Sequence, residues 1–232
     1  MRFLTADYLF TLEGPPIETG VLQISNQGEI AGVFSNKKDF PQNKLEIYNG
    51  ILCPGFINSH CHLELSHLRD SYKQGSGIIH FINNMKQRKK HEKSYILECI
   101  KKAEKQLLLN GVVGVGDICN TRHTIDIKRQ ENIQYYNFIE TFSVYNNKLK
   151  EVINVADNLR KEFRDNSLQA TIVPHSPYSV HPSLLRDILS RFDHEDKIIS
   201  IHLQESFLEN DLFEKKKGEL LCWLKSIKSN AD

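Results

Sequence analysis

The sequence has no excess of charge of either sign, because 30 basic residues stand against 29 acidic ones for a net charge of +1. A nucleic-acid-binding domain normally carries a marked basic excess on one face, so no nucleic acid is expected as a partner. The lysine-rich runs Lys86–Lys93 and Lys215–Lys217 are interpreted as solvent-exposed helix faces.

Long hydrophobic runs are also missing. No apolar stretch approaches the roughly 18 to 20 residues that a membrane-spanning helix needs, so no membrane association is expected. The chain start, from Met1 to Asp7, reaches an acidic residue before any signal-like apolar stretch develops.

Cysteine is scarce, and its spacing does not suggest pairing. The 5 cysteines make an odd count without a Cys-x-x-Cys pair, which argues against a disulfide framework and favours a reducing compartment. They are Cys53, Cys61, Cys99, Cys119 and Cys222. We therefore expect a soluble cytoplasmic protein.

The first 54 residues predict a small all-β unit. Turn-forming stretches such as Glu13–Pro16 and Ser25–Gly28 separate short β-rich segments. The segments are Phe3–Ala6, Tyr8–Leu12, Gly20–Ile24, Glu29–Phe34 and Lys44–Tyr48. Such a unit is too short to hold a large core alone, so we assign residues 1–54 to one domain and residues 55–232 to another.

After Pro54 and Gly55, apolar strands alternate with long amphipathic helices. The predicted strands are Gly55–Ser59, Val112–Ile118, Ile133–Glu140, Gln169–Val173 and Ile198–Leu203. The predicted helices are Gly77–Arg88, Ser94–Asn110, Leu149–Arg164, Pro182–Phe192 and Glu209–Ser226. This alternation favours a parallel sheet with helical crossovers, and it fits a doubly wound sheet or a TIM barrel equally well.

The sharpest motif is Pro54–His62, an apolar strand that ends in His60-Cys61-His62. Side chains alternate along a strand with period two, so both imidazoles point to the same side. Two neutral imidazoles in this arrangement can hold a borderline metal such as zinc or iron. A chance pair is the alternative, but the position after an apolar strand and a Pro-Gly break favours metal ligands.

A second apolar stretch starts at Ile198 and runs into His202, with Glu205 three residues later. A histidine at a strand end can complete a metal-binding triad, and the carboxylate beyond it can move protons between water and a leaving group. Each residue alone would more often be structural, but with the His-x-His pair they form one pattern.

A third motif, Ile172–Val180, lies at the end of the fourth predicted strand. Its two prolines stiffen the loop, and His175 sits where a substrate-facing residue would lie. The same residues would also suit a rigid loop with a capping serine, and the motif alone leaves both interpretations open.

Together, the motifs Pro54–His62, Pro174–Tyr178 and His202–Glu205 resemble the amidohydrolase superfamily. Their order and spacing are similar to those of the adenosylhomocysteine, guanine, cytosine and aminofutalosine deaminases and the related chlorohydrolases, over essentially the whole chain. The resemblance implies an α/β fold, a (β/α)8 TIM-type barrel of which about five β/α units are present. It also implies a small β-sandwich to which residues 1–54 contribute.

The resemblance further implies roles for individual residues. His60 and His62 would be first-strand ligands of one divalent metal, zinc or alternatively iron, and His202 the fifth-strand ligand. Glu205 would be the acid/base that protonates a ring nitrogen, and His175 would contact the substrate.

In this family a metal-bound hydroxide attacks the amine-bearing carbon of a heterocycle, and ammonia leaves. We therefore expect hydrolysis of a carbon–nitrogen bond other than a peptide bond, in a small amino-substituted purine- or pyrimidine-type substrate. A chlorohydrolase or cyclic amidohydrolase is the alternative enzyme. An alternative of another class is a catalytically incomplete homologue that serves only in assembly.

The family pattern is incomplete here, because members carry a further histidine after the sixth strand and an aspartate after the eighth. The chain stops at Asp232, which follows no apolar strand and is not assigned that role. We expect a truncated product or one half of a split protein. Its open barrel edges would aggregate, pair in a homo-oligomer or require a complementing C-terminal portion.

Three acidic residues and one glycine-rich stretch also lie near the predicted strand ends. Asp117 and Glu140 both end predicted strands, so we expect them to face the same pocket mouth, without an assigned role. The stretch Gly111–Asp117 lacks the Lys-Ser/Thr ending of a phosphate loop, so it is interpreted as a strand packed closely inside a barrel. Glu64 is expected either to line the pocket or to begin a helix.

Overall fold

A computed structural model describes residues 1–85, 90–192 and 198–229 of the chain. The chain divides into two compact units, Met1–Phe56 and Ile57–Asp232. Part of the predicted exposed run Lys86–Lys93, and all of Asp232, lie outside the described residues, whereas Lys215–Lys217 is exposed as predicted. Within the described part of the chain, no helix is both long and apolar enough to cross a membrane.

The first unit is built from short strands, which are β1 (Arg2–Thr5), β2 (Tyr8–Leu9), β3 (Ile17–Glu18), β4 (Val21–Ile24), β5 (Ile30–Phe34), β6 (Leu45–Ile47) and β7 (Ile51–Leu52). They form two sheets, ordered β5-β4-β1-β6 and β3-β2-β7. All five predicted strands are confirmed, although β2 is shorter than predicted. Strands β3 and β7 have two residues each, too few for an alternating pattern to predict.

The second unit alternates strands and helices. Its strands are β8 (Phe56–Cys61), β9 (Val112–Cys119), β10 (Gln134–Thr141) and β11 (Ala170–Pro174). Its helices are α1 (Ile78–Asn84), α2 (Lys93–Leu109), α3 (Ile125–Lys128), α4 (Leu149–Asp165), α5 (Pro182–Ser190), α6 (Phe207–Lys215) and α7 (Glu219–Ser229). The strands form one sheet in the order β11-β10-β9-β8, and β10 runs parallel to both β9 and β11. The first four predicted strands of this unit are therefore confirmed.

One face of this sheet is covered by helices. Ile139 of β10 and Ile172 of β11 belong to a buried cluster with Phe163 of α4 and Ile188 of α5. Both helices are amphipathic, so their apolar stripes supply this layer while their polar faces remain exposed. The expected packing of crossover helices on the sheet is thus present.

The opposite face of the sheet carries a separate cluster, formed by Ile118, Phe138 and Val173. On this face β8 and β9 approach so closely that a Cβ atom added at Gly116 would lie 2.5 Å from the Ser59 carbonyl oxygen. The interpretation of the glycine-rich stretch as a closely packed strand is therefore confirmed.

The fifth predicted strand, Ile198–Leu203, is not a strand in the structure. Among the described residues, one backbone hydrogen bond joins it to the end of β11, from His202 N to His175 O at 2.7 Å. Ile198 and Ile199 remain 50% and 41% exposed, so the burial that would stabilise a strand is not realised. The apolar pattern was correct for a strand, but strand pairing also needs a repeated ladder of hydrogen bonds.

The predicted helix Glu209–Ser226 is also wrong, because the structure has two helices in its place, α6 and α7. Lys216 takes up a left-handed conformation with φ 50° at the end of α6. Gly218 follows with φ 96°. A left-handed residue ends a helix, and a nearby glycine lowers the cost of the turn.

Candidate metal centre

His60 in β8 and His62 directly after it lie side by side at the end of this strand. His60 and His62 emerge on the same face of the sheet, with ring centroids 5.0 Å apart. Cys61 lies between them in sequence and points the other way, into a cluster with Leu63 and with Ile100 of α2. The predicted common side of the two imidazoles is therefore confirmed.

His202 completes the cluster. Its ring centroid lies 4.7 Å from that of His60 and 5.4 Å from that of His62. Potential ligand atoms of the three histidines all lie within 4.8 Å of one another. The three residues predicted to bind a metal thus converge, although the segment that carries His202 is not a β-strand. Nitrogen donors in this arrangement suit one divalent cation.

Burial keeps two of these imidazoles neutral at neutral pH. It lowers the pKa of His62 to about 4, and it lowers the pKa of His60, where nearby His202 adds to the effect. For His202 the carboxylates of Glu140 and Glu205 raise the pKa to about 9. A cation would therefore bind unprotonated ring nitrogens of His60 and His62, whereas its binding to His202 would release a proton.

Glu205 lies against His202. Its Oε1 is 3.2 Å from His202 Nδ1, and its Oε2 accepts a hydrogen bond of 2.7 Å from the Tyr178 hydroxyl. Burial raises the pKa of Glu205, but His202 and Tyr178 outweigh burial and lower this pKa to about 2. The predicted acid/base is therefore an ionised carboxylate with both oxygens held in place.

His175 follows β11 and faces the same cluster, with its ring centroid 4.9 Å from that of His202. Its Nδ1 lies 2.8 Å from Ser176 Oγ and 2.7 Å from Ser179 Oγ. With Nδ1 engaged by the two hydroxyl groups, Nε2 is the ring nitrogen left for a substrate or an ion. The two interpretations of this loop therefore coexist, because serines fix the loop and the histidine faces the site.

The prediction for Glu140 and Asp117 is half right. Glu140 faces the cluster, with Oε1 3.5 Å from His202 Nε2. Asp117 lies on the other face of the sheet and contacts Lys128, with Oδ2 2.5 Å from Nζ. Ile118 of β9 packs with Phe138 of β10 on one face of the sheet. Glu140 is two positions after Phe138 and shares that face, whereas Asp117 is one position before Ile118 and points to the opposite face. Lys128 carries no sequence signal that would predict its burial.

Glu64 is buried but belongs to the framework of the site. Its Oε2 accepts hydrogen bonds from Asn120 N at 3.1 Å, Thr121 N at 2.8 Å and Thr121 Oγ1 at 2.7 Å. It sits in the first turn of the 3₁₀ helix Leu63–Leu68. The helix-start interpretation is therefore confirmed, and the carboxylate anchors this turn to the chain after β9.

A cavity of about 810 Å³ opens beside the histidines. Its polar end is lined by His62, His175, His202, Glu140 and Glu205. Other walls are apolar and include Phe81, Phe142 and Trp223. The sequence did not identify these aromatic residues as cavity-lining, because an apolar residue in a helix or at a strand end is equally consistent with a buried core position.

Known proteins similar to this chain belong to one family. Residues 51–221 match the amidohydrolase family. Among curated relatives, an adenosine deaminase of Helicobacter pylori is 27% identical over 198 residues, which cover 82% of this chain and 47% of the relative. The chain therefore spans about half the length of the curated relatives it matches.

Solved structures show the same fold. The Helicobacter pylori aminofutalosine deaminase in complex with methylthio-coformycin aligns with a TM-score of 0.77 at 24% identity, over 95% of this chain and 55% of that one. The zinc complex of the atrazine chlorohydrolase TrzN from Arthrobacter aurescens TC1 aligns with a TM-score of 0.71 at 15% identity, over 97% of this chain and 58% of that one. The predicted barrel-type fold is therefore confirmed.

Proposed function

Because the chain belongs to the amidohydrolase family, whose fold is a (β/α)8 barrel, we propose that it contributes the metal site and the acid/base of a hydrolytic deaminase. The observation that carries this proposal is the convergence of His60, His62 and His202 at one end of a cavity, with Glu205 against His202. The reaction is hydrolysis of a carbon–nitrogen bond other than a peptide bond.

In this proposal His60, His62 and His202 bind one divalent ion. Zinc is the proposed metal, supported by the zinc-bound relative in structure, and iron is the alternative because nitrogen and carboxylate donors suit both. When bound, such an ion lowers the pKa of water and stabilises the negative charge that develops during attack on the substrate.

Glu205 is proposed to carry the proton. As an ionised carboxylate it can accept a proton from water and deliver it to a ring nitrogen of the substrate. Tyr178 and His202 hold its two oxygens, so little reorganisation is needed before transfer. His175 is proposed to donate to or accept from the substrate through Nε2.

The substrate is proposed to be a small amino-substituted purine- or pyrimidine-type heterocycle. The aromatic side chains of Phe81, Phe142 and Trp223 line the cavity and suit a flat ring. Relatives that are named deaminases support this substrate class. A chlorohydrolase is the second candidate, supported by the likeness in fold to the atrazine enzyme. A cytoplasmic location, and a partner chain or C-terminal portion that completes the site, are proposed alongside.

Two measurements test the proposal. Elemental mass spectrometry after equilibration with Zn²⁺ should find about one ion per chain, and none in the His60→Ala/His62→Ala double variant. The Zn²⁺-loaded chain should release ammonia from amino-substituted heterocycles, and Glu205→Gln should slow that release at least about 100-fold without removing zinc. Bound zinc without ammonia from any of these compounds would contradict deamination, and chloride release from a chlorinated heterocycle would favour the alternative.

A further inference from the structure

The cavity beside the histidines is larger than one ring system needs. Its volume of about 810 Å³ lies near the upper end of the range of about 300–1,000 Å³ for sites that hold drug-sized ligands. A flat heterocycle at the polar end, where His175 and Glu205 line the cavity, fills only part of this volume. The remaining walls therefore face either water or a second group of the same ligand.

Those remaining walls are mostly apolar. They come from α4, from α1 and the residue after it, and from α7, and they include Ile82, Met85, Val152, Trp223 and Ile227. Lys148 is the one charged residue of the described lining outside the polar end, and it is exposed, with its Nζ 5.5 Å from the ring centroid of Tyr145. Apolar walls gain more from contact with an apolar group than from contact with water, so the second group that fits here is apolar.

Helix α7 is held beside this part of the cavity by two hydrogen bonds. The indole Nε1 of Trp223 donates to Asn83 Oδ1 of α1 at 3.2 Å, and the Tyr145 hydroxyl group donates to the carbonyl oxygen of Ile227. Because Asn83 satisfies the polar N–H of the indole, the apolar ring surface of Trp223 remains for contact with a ligand. Trp223 is half-buried, so part of this ring surface is open.

Trp223 is set apart from the aromatic residue beside the histidines. Phe142 lies at the polar end, with its ring centroid 6.0 Å from that of His175. Trp223 instead contacts Asn83 of α1, and within the described residues no ring contact joins it to a histidine. Phe142 is therefore placed beside the ring that would react, and Trp223 beside the second group.

We propose that Trp223 is a specificity-determining residue, which packs against an apolar substituent of the substrate and so favours substituted heterocycles over bare ones. The inference rests on the deaminase function proposed above and concerns the part of the substrate that does not react. The polar end meets the same ring in both kinds of compound, so a contact with the substituent is what separates them.

The test compares the binding of purine and of N9-benzylpurine, which carries an apolar aromatic substituent. Neither compound has an amino group to lose, so both stay intact during calorimetric titration of the Zn²⁺-loaded chain. We expect N9-benzylpurine to bind wild type at least about 10-fold more tightly than purine, and Trp223→Ala to reduce this ratio at least about 5-fold. Phe207→Ala is the matched control, because Phe207 is 89% exposed and lies outside the cavity lining, and it should keep the wild-type ratio.

The emission of Trp223 reports the contact directly, because it is the one tryptophan of the sequence. Saturation of the wild-type chain with N9-benzylpurine should change the intensity or the wavelength of this emission. Unchanged emission overturns the inference, also where Trp223→Ala does not fold by circular dichroism. A ratio that Trp223→Ala leaves as in wild type overturns it too, since a merely structural role would weaken the binding of both compounds by the same factor.

Failure of the proposed function is separable from failure of this inference. If N9-benzylpurine binds preferentially and changes the emission, but adenine and N9-benzyladenine release no ammonia, the contact stands and deamination of these rings is contradicted. If wild type binds neither purine, the inference fails, and ammonia release from other amino-substituted heterocycles then decides the proposed function separately.

Discussion

Lys128 Nζ lies 2.5 Å from Asp117 Oδ2, and both side chains are completely buried on the helix-covered face of the sheet. Asn137 Oδ1 accepts a second hydrogen bond from the ammonium group at 2.6 Å, and Cys119 Sγ lies 3.3 Å from it. The backbone N–H of Leu63 donates to Asp117 Oδ1 at 2.8 Å. The pair thus ties β9, β10 and the 3₁₀ helix Leu63–Leu68, which follows β8, to one another.

Removal of this lysine should destabilise the protein severely. In Lys128→Met the Asp117 carboxylate stays buried without its counter-charge, so we expect a loss of about 3–5 kcal/mol in the free energy of unfolding by urea. Lys161→Met is the matched control, because Lys161 pairs with Asp165 at 2.6 Å on the exposed surface. That control should cost less than about 1 kcal/mol, and equal losses would contradict a special role for burial.

The same pair predicts how stability depends on alkaline pH. Burial lowers the pKa of Lys128, but Asp117 raises it more, so the pKa in the folded protein lies above 10.5. A lysine with a raised folded pKa contributes stability that is complete below the unfolded pKa and is lost as the pH rises through the folded pKa. The stability difference between wild type and Lys128→Met should therefore stay constant from about pH 8 to 10 and shrink above about 10.5. Urea unfolding of both proteins across this pH range measures the stability difference. A difference that already shrinks at about pH 9 would contradict a raised pKa of Lys128.

Two glycines of β9 should respond differently to a methyl group. Gly116→Ala would place Cβ 2.5 Å from Ser59 O, whereas at Gly114 the nearest atom is a side-chain carbon of Ile57 at 3.6 Å. Because a backbone oxygen cannot easily move, we expect Gly116→Ala to cost about 1–3 kcal/mol and Gly114→Ala much less. Thermal unfolding of both variants checks this, and similar melting temperatures would refute the close approach of β8 and β9.

Tyr178 should matter for turnover more than for metal binding. Tyr178→Phe removes the hydroxyl group that holds Glu205 Oε2 at 2.7 Å, a hydrogen bond to a charged group. Such bonds contribute about 1.5–3 kcal/mol, so we expect kcat for ammonia release to fall about 10-fold or more with Zn²⁺ affinity unchanged. Tyr136→Phe is the control, because its hydroxyl group bonds Thr171 at 2.7 Å away from Glu205. Equal kcat values for the two variants would exclude a positioning role.

Much of the architecture could be predicted because it follows from local patterns. The strands β8 to β11 and the helices α2, α4 and α5 appear within a few residues of their predicted bounds. The His-x-His pair emerges on one face because alternation along a strand is a property of the backbone. Patterns failed where tertiary partners decide the outcome, as at Ile198–Leu203, where the apolar side chains stay exposed and the segment is not a strand.

The amino-acid sequence by itself determined which residue types stand at the strand ends, and so identified His60, His62, His202 and Glu205 as the residues of one candidate site. Only the tertiary structure decided that Glu140 joins them while Asp117 turns away to Lys128. The physical reason is that alternation along one strand fixes only which of its own side chains share a face, whereas the pairing of neighbouring strands decides which faces come together. Which charged groups meet, such as Asp117 and Lys128, is decided by distances across the fold.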